Sequence, residues 1–298
     1  MLACVAYAIG LTGILFAPLA CLVSYAVATD LHSHIVLAPA VSGWLLWRDR
    51  ERLRVPLRTS AAGAAICGVG GGVLLMLAAG VWGPELSGSD THAVFAGSYL
   101  ALLVAGAFLF LGGGWMKEAA FPVCFLVFMI PLPEGAVHWM EHILMAASAE
   151  ATNWLFELSG IPVIRTGQIF QLPGMTLEVA QQCSGIRSSW VLFITAVLAS
   201  YLFLGTNWRR VLLVAAVIPL GILRNGLRVV VIGMLCVHKG PQMIDSWVHR
   251  QGGPLFFGLS LVPLFALLAW LRRNEQKAQG EAADRVGEKK KQAAPTRA

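Results

Sequence analysis

Long apolar runs alternate with short polar segments along the chain, and this pattern predicts membrane-spanning helices. Runs of roughly 18 or more apolar residues recur, and a helix of about that length crosses the hydrocarbon core of a bilayer. We therefore predict an all-α fold, a polytopic membrane helix bundle of about eight spans. The predicted spans cover approximately residues 3–27, 33–47, 60–82, 93–112, 118–132, 184–204, 211–235 and 254–271.

The composition favours a membrane protein over a soluble protein with a very large core. Of the 298 residues, 57% are hydrophobic and only 13% are charged, about half the charged fraction of a soluble globular protein. The formal net charge of +6 does not point to nucleic acid, because much of it lies in a loop near residue 50 and in a tail after Trp270. We expect membrane lipids around the chain and no nucleic-acid partner.

Basic residues in alternate loops predict the orientation of the spans, because cytoplasmic loops of membrane proteins are enriched in lysine and arginine. They follow spans two, four, six and eight: Arg48, Arg50, Arg52, Arg54, Arg58, Lys117, Arg209, Arg210, Arg272, Arg273 and Lys277. The opposite loops are 28–32, 83–92, 133–183 and 236–253, of which the last fits less cleanly because it holds Lys239 and Arg250. We predict cytoplasmic termini and an uncleaved first span, since the N-terminus lacks a positive region and a small-residue cleavage site.

The segment 133–183 is the one long segment that is predicted to be extracytoplasmic. Gly135–Leu158 has apolar residues at helical spacing, which indicates a helix in the membrane interface or packed under the bundle. Residues 161–179 are rich in β-branched side chains and contain two glycine-containing turns. This pattern predicts short extended strands that lead to Cys183. We place a membrane-embedded domain at residues 1–274 and a disordered basic cytoplasmic tail at 275–298, where large apolar residues are almost absent.

Cys183 stands in surroundings that favour a reactive thiol. It lies in the polar cluster Glu178–Arg187, directly before the apolar run Trp190–Leu204. A thiol must lose its proton to act as a nucleophile, and a helix N-terminus or a nearby cation favours that loss. The other five cysteines lie inside apolar stretches, and the six show no regular metal-binding or disulfide spacing. We expect neither a metal nor a cofactor.

Two arginines interrupt the seventh predicted span. Arg224 and Arg228 are four residues apart and therefore share a face of the helix. An ionisable group within a span is costly and by default marks a functional site. The alternative is an arginine near a helix end that reaches out to the lipid headgroups. The predicted topology places Arg228 nearer the outer surface than Arg224.

A third polar cluster, Asp245–Gly253, precedes the last predicted span and contains His249. A lone histidine in a loop is usually only a solvated residue. Here, however, the topology brings Cys183, Arg228 and His249 to a similar depth on one side of the membrane. These groups suit acyl transfer, because the thiolate attacks a carbonyl, the imidazole moves protons and the guanidinium stabilises the oxyanion.

Several short motifs occur in a fixed order along the chain. They are Ser33-His34, Trp44–Arg48, Phe121-Pro122, Met129–Pro133, Gly160–Val163, Cys183–Ile186 (Cys-Ser-Gly-Ile), Asn225–Arg228 (Asn-Gly-Leu-Arg) and His249–Gly253 (His-x-x-x-Gly). Together they resemble the exosortase/archaeosortase family of integral-membrane cysteine transpeptidases, over roughly residues 30–270. Each motif alone is weak, whereas the ordered set is specific.

The resemblance implies a role for each residue of the set. Cys183 would be the nucleophile, Arg228 the partner of the oxyanion or substrate carbonyl, and His249 the general acid and base. Histidine at the third place is typical of the bacterial members. Four further residues are candidates to support the set or the substrate: Arg224, Glu178, Asp245 and His34. For each of these, the plainer alternative is a loop or helix-end hydrogen bond.

The resemblance also implies the substrate and the location. Family members act on secreted proteins whose C-terminal sorting signal combines a short Pro-Glu-Pro-like motif, a hydrophobic span and a basic cluster. Cleavage passes the new C-terminus through a cysteine thioester to an acceptor, which nothing in the sequence identifies. The expected location is the bacterial inner membrane, with the active site facing the periplasm.

The residues themselves leave other functions open. A hydrolytic membrane protease of the same geometry would use water as the acceptor. A transporter or anionic-lipid-binding membrane protein would hold its ligand with Arg224 and Arg228 and would not need Cys183. A scaffold that keeps the fold without activity is disfavoured by the intact set of cysteine, arginine and histidine.

Overall fold

The computed structural model describes residues 2–81, 88–173, 175–178, 185–240, 242–243 and 252–292. Helices dominate this part of the chain, and its one sheet has three short strands. The predicted fold class, an all-α polytopic membrane bundle, is confirmed. The chain divides into two compact units, Met1–Trp139 and Met140–Ala298.

The first unit is a set of helices joined by short turns. Its helices are α1 (Leu2–Ile14), α2 (Phe16–Ala28), α3 (Leu37–Arg48), α4 (Ala61–Met76), α5 (Gly88–Phe110), α6 (Gly112–Glu118), α7 (Ala120–Phe125) and the beginning of α8 (Glu134–Ser159). Tighter turns of 3₁₀ helix lie at Ser33–Val36 and Leu126–Met129, and a wider π turn lies at Leu77–Val81. Small residues lie between α4 and α5, since a Cβ atom at Gly68 would lie 3.7 Å from Ala105 Cβ and one at Gly71 would lie 3.1 Å from Ala101 Cβ. These small residues let the two helices lie close together.

Two pairs of helices are bent where a single straight span would be expected from hydropathy alone. α1 and α2 meet at 74° around Leu15, just before Pro18. Proline contributes to this break because it has no N–H to donate to the carbonyl one turn earlier. Ala120–Met129 and α8 meet at 90° across Pro131 and Pro133, which favour extended backbone in the residues before them.

The number of spans depends on how the bent pairs are counted. Five stretches of the described residues are long and apolar enough to cross a membrane: Ala61–Ala79, Gly88–Phe110, Ile186–Phe203, Asn207–Lys239 and Gly253–Glu281. The two bent pairs raise the number to seven, against about eight predicted. The difference is the predicted span 33–47, where α3 has only 12 residues. A helix of that length extends about 18 Å, which is short of the roughly 30 Å hydrocarbon core.

The second unit combines the rest of α8, a small sheet and four further helices. The strands are β1 (Ile164–Thr166), β2 (Ile169–Leu172) and β3 (Met175–Glu178), and the helices are α9 (Ile186–Phe203), α10 (Asn207–Ala215), α11 (Val217–Lys239) and α12 (Gly253–Gln292). The strands are antiparallel in the order β1-β2-β3, with Ile164 opposite Gln171 and Phe170 opposite Leu177. The predicted short extended segment before Cys183 is therefore present.

Helix α11 belongs to two separate apolar cores of this unit. One core joins α9, α10, the start of α11 and α12: Leu192, Ala196, Ala199, Leu204, Leu213, Val217, Leu264, Leu268 and Leu271. The other joins α8, the sheet and the second half of α11: Ala149, Phe156, Phe170, Leu172, Leu177, Val229, Val230, Ile232 and Cys236. The polar residues Arg224 and Asn225 lie on α11 between these two cores.

Gly226 allows α11 to approach α8 closely. A Cβ atom at this position would lie 3.1 Å from Ala151 Cβ and 3.2 Å from the backbone nitrogen of Thr152. We expect Gly226→Val to destabilise the protein by about 1–3 kcal/mol, because the added branches meet backbone that cannot move aside alone. The measurement is the thermal unfolding midpoint in detergent.

The matched control for this substitution is Gly258→Val on α12, where no described atom lies within 4 Å of the corresponding Cβ. Both substitutions replace a helical glycine by the same β-branched residue, so intrinsic helix propensity cancels between them. An equal midpoint for the two variants would contradict the close packing of α11 on α8.

Helix α12 continues beyond its apolar part. Glu275 is buried and accepts hydrogen bonds from the Gly205 N–H, at 3.1 Å, and from the Thr206 hydroxyl, which fastens the turn between α9 and α10 to α12. The helix extends to Gln292, whereas the sequence predicts a disordered tail from residue 275. The lysine, glutamate, alanine and glutamine residues of this segment lack apolar surface, but they have high helix propensity.

Candidate functional site

Arg224 connects the middle of α11 to the first turn of α9. Its side chain is only 7% exposed, and its Nη2 donates hydrogen bonds to the Gly185 carbonyl, at 3.0 Å, and to the Ser189 hydroxyl, at 3.1 Å. Gly185 immediately precedes α9 and follows Cys183 by two residues. Arg224 is therefore bound to the chain next to the predicted nucleophile.

The Gly185 carbonyl is the centre of this contact. Within the described part of the chain it accepts three hydrogen bonds: from Arg224 Nη2, from the Ser188 hydroxyl at 3.2 Å and from the Ser189 backbone N–H at 3.0 Å. Two of these donors lie in the first turn of α9, and the third comes from α11. The position of this peptide group is thus determined by both helices at once.

Glycine is required at position 185 for two reasons. Its φ of 71° lies in the left-handed region, which residues with a Cβ atom rarely adopt. A Cβ atom would also lie 2.8 Å from Arg224 Nη2 and 3.2 Å from the side-chain oxygen of Asn225. Asn225 is itself only 2% exposed, so Arg224 and Asn225 both lie against the bare backbone of Gly185.

The charge of Arg224 is unusual for its surroundings. Among the described residues, its two hydrogen-bond partners are neutral and its Nη1 has no hydrogen-bond partner. Burial of a guanidinium is expensive unless other groups compensate for the lost hydration. A cation held in this way favours a negative charge nearby, which is a property of sites that bind or generate anions.

Arg228 lies one helical turn beyond Arg224 and is half-buried. The predicted shared face of the two arginines follows from their spacing on the continuous helix α11. Cys183, Asp245 and His249 lie outside the described residues. The expected proximity of Cys183, Arg228 and His249 stays a prediction. Glu178 ends β3, with its backbone opposite Ile169.

His34 belongs to the first unit and lies in a buried group of rings. Its Nδ1 is 3.1 Å from the Leu31 carbonyl oxygen, and its ring centroid is 6.4 Å from that of His32. His32 is 2% exposed and packs beside Tyr25. Burial, together with the charge of His34, lowers the pKa of His32 to about 4, so His32 is neutral at pH 7. The local hydrogen bond of His34 agrees with the plainer alternative, a structural role.

The sequence did not single out Ser188 and Ser189, and it indicated Asn225 only as part of the Asn-Gly-Leu-Arg motif, without a role. All three contribute to the surroundings of Gly185. The available signal was a pair of hydroxyl residues within one turn after a glycine, together with an asparagine inside an apolar run. Such polar residues in a span commonly hydrogen-bond across helices, but the pattern does not say to which partner.

Comparison with known proteins bears on the identity of the chain. The family model described as "Transmembrane exosortase" matches residues 26–283. The match includes both arginines of α11 and the segments that contain Cys183 and His249. Neither the curated proteins nor the solved structures contain a match to the chain. Because the family model matches well over half of the 298 residues, the chain belongs to the transmembrane exosortase family.

Proposed function

We propose that this protein is a membrane cysteine transpeptidase that cleaves the C-terminal sorting signal of secreted proteins and transfers the new C-terminus to an acceptor. The observation that carries the proposal is the family match over residues 26–283, which contains Cys183, Arg228 and His249 in the order of the family's catalytic set. The substrates would carry a short Pro-Glu-Pro-like motif, a hydrophobic span and a basic cluster.

The first half of the proposed reaction forms a thioester. The Cys183 thiolate attacks the scissile carbonyl carbon, and the carbonyl oxygen becomes an oxyanion that Arg228 stabilises. When the tetrahedral intermediate collapses, the carbon–nitrogen bond breaks and protonated His249 donates a proton to the leaving amine. The cleaved C-terminal sorting signal departs, and the rest of the substrate remains bound to the Cys183 sulfur as a thioester.

The second half releases the substrate. An acceptor nucleophile attacks the thioester carbonyl, neutral His249 takes the proton of that nucleophile, and the carbon–sulfur bond breaks to restore the thiolate. Arginine suits the oxyanion in both halves because it stays charged at every relevant pH. In this proposal the acceptor alone distinguishes transfer from hydrolysis.

The proposed location follows from the distribution of basic residues. Arg209 and Arg210 lie in the first turn of α10, shortly after the end of α9, while Gly185 lies at the other end of α9. If the basic end is cytoplasmic, as the positive-inside rule predicts, then the start of α9 and Cys183 face the periplasmic side of the inner membrane. A substrate anchored by its own hydrophobic span would present its scissile bond at that surface.

The geometry of Arg224 argues against the transporter or lipid-binding alternative. That alternative needs Arg224 and Arg228 to hold an anionic ligand together. Arg224 Nη2 is instead bound to the Gly185 carbonyl and the Ser189 hydroxyl, and the side chain is buried. A ligand would have to displace contacts that fix the beginning of α9.

Intact mass spectrometry of a processed reporter tests transfer. The reporter is a secreted domain that ends in a Pro-Glu-Pro motif, a hydrophobic span and a basic cluster, expressed together with the full-length enzyme. We expect a C-terminus that is heavier than the free acid by the mass of one acceptor less one water molecule. A free carboxylate throughout would contradict transfer and leave the hydrolytic protease.

A further inference from the structure

We propose that Arg224 is a positioning residue for the reaction, which fixes the segment of the nucleophile against the helix that carries Arg228. This inference rests on the proposed function, since it assigns Cys183 and Arg228 to the same reaction. The observation that carries it is the contact of Arg224 with Gly185 and Ser189 at 3.0 and 3.1 Å.

Cys183 and Arg228 each lie a short distance along the chain from the contact between Gly185 and Arg224. Cys183 precedes Gly185 by two residues, so their Cα atoms are separated by at most about 7 Å. Arg228 lies one turn from Arg224, a rise of about 6 Å along α11. The hydrogen bond between Arg224 and Gly185 is therefore a short link between the backbone next to Cys183 and the helix that presents Arg228.

Several contacts constrain the peptide group of Gly185. The Gly185 carbonyl accepts hydrogen bonds from Arg224, Ser188 and Ser189, and the left-handed φ of 71° defines the backbone conformation immediately before α9. Loss of the Arg224 donor removes the hydrogen bond that joins the Gly185 carbonyl to α11. Gly185 would still precede α9, but that hydrogen bond would no longer fix its orientation relative to Arg228.

The charge of Arg224 is not explained by folding alone. Replacement of a buried charged residue by an apolar residue of similar volume is often neutral or stabilising, so folding alone does not explain a guanidinium held by neutral partners. Near a thiol, a positive charge favours the thiolate. Arg224 thus provides both a geometric link and a positive charge beside the predicted nucleophile.

Three variants of the full-length enzyme separate these contributions. Arg224→Met removes the charge and the hydrogen bonds, Arg224→Lys keeps the charge but loses the forked donor, and Gly185→Ala keeps the arginine while disturbing the turn. Arg273→Met on α12 is the control, because its guanidinium is exposed. All variants keep the other charged or titratable residues expected near Cys183, which are Arg187, Arg228, Glu178 and His249.

The experiment has two readouts in purified enzyme in detergent micelles. One is kcat and KM for cleavage of the sorting-signal reporter. The other is the pH dependence of Cys183 alkylation by iodoacetamide, measured on the peptide that contains Cys183, which needs no substrate. Thermal unfolding midpoints show whether each variant is folded.

We expect Arg224→Met to lower kcat by about 10- to 100-fold with little change in KM, because a small displacement of a reacting group has an effect of that size. Its alkylation midpoint should rise by about 0.5 to 1 pH unit, because the thiolate loses a favourable charge. Gly185→Ala should lower kcat without this rise, and Arg224→Lys should keep the wild-type midpoint with an intermediate kcat.

A folded Arg224→Met variant with the wild-type kcat and alkylation profile would overturn the inference. If that variant does not accumulate, wild-type kcat in both Arg224→Lys and Gly185→Ala overturns it. Failure of the proposed function is recognised separately, because cleavage by Cys183→Ala enzyme would then persist whatever residue 224 is.

Discussion

Replacement of Cys183 by alanine is expected to stop processing, so that the sorting-signal reporter accumulates at full length. The loss should be about 10³-fold or more, because removal of a catalytic nucleophile leaves only the contribution of substrate binding and oxyanion stabilisation. Cys183→Ser should be nearly as inactive, since a hydroxyl has a much higher pKa than a thiol and is rarely ionised without a dedicated base. The measurement is the ratio of processed to full-length reporter at matched enzyme levels in the membrane.

Cys124→Ala provides a matched control for the cysteine substitution. Cys124 is a free, exposed thiol on α7 in the first unit, and its replacement should leave processing unchanged. Undiminished processing by Cys183→Ala would remove the catalytic hypothesis and favour a transporter or lipid-binding function. Processing lost equally in both variants would point to a general effect of thiol removal on folding.

Arg228→Met is expected to have the second-largest effect, a fall in kcat of about 10²- to 10³-fold. Loss of one donor to a developing oxyanion has this magnitude in acyl-transfer enzymes. Arg228→Lys should restore only part of the activity, because lysine provides a point charge without the planar fork of donors. The KM for the reporter should change less than kcat, since the oxyanion exists only in the transition state and intermediate.

The control for this second experiment is again Arg273→Met, which removes one exposed guanidinium from α12. A comparison with Arg224→Met adds discrimination, because Arg224 donates a hydrogen bond to the Gly185 carbonyl. An Arg228→Met variant with a raised KM and an unchanged kcat would contradict the oxyanion role and indicate a role in substrate binding.

Long apolar runs made much of the helical frame predictable. The predicted spans 93–112 and 184–204 correspond to α5 and α9, Gly88–Phe110 and Ile186–Phe203, because in both an apolar run of sufficient length is bounded by polar residues. The strands of 161–179 were predictable from β-branched residues and glycine turns. The predicted second span, 33–47, was already short in the sequence, and α3 is shorter still. Hydropathy counts apolar residues without detecting bends, so it did not predict the bend at Leu15.

The candidate site was predictable by residue type but not by contact. Arg224 was predicted to be a candidate site residue because a charge inside a span is costly. Its partners, Gly185 and Ser189, are 39 and 35 residues away along the chain, and only the packing of α11 against α9 brings them together. Local sequence patterns describe neighbours within one helix, so this contact between helices had no signature in the spacing.

The two apolar cores along α11 have a consequence for building hybrid enzymes. Among the described residues, the core of α9, α10, the start of α11 and α12 contains no residue of the sheet, whereas Phe170, Leu172 and Leu177 belong to the core shared by α8 and the second half of α11. Exchange of residues 160–178 with those of another family member would therefore alter the strands and the core they share with α8, while the core of α9, α10 and α12 keeps its own packing. Such chimaeras offer a direct way to ask which segment selects the sorting motif.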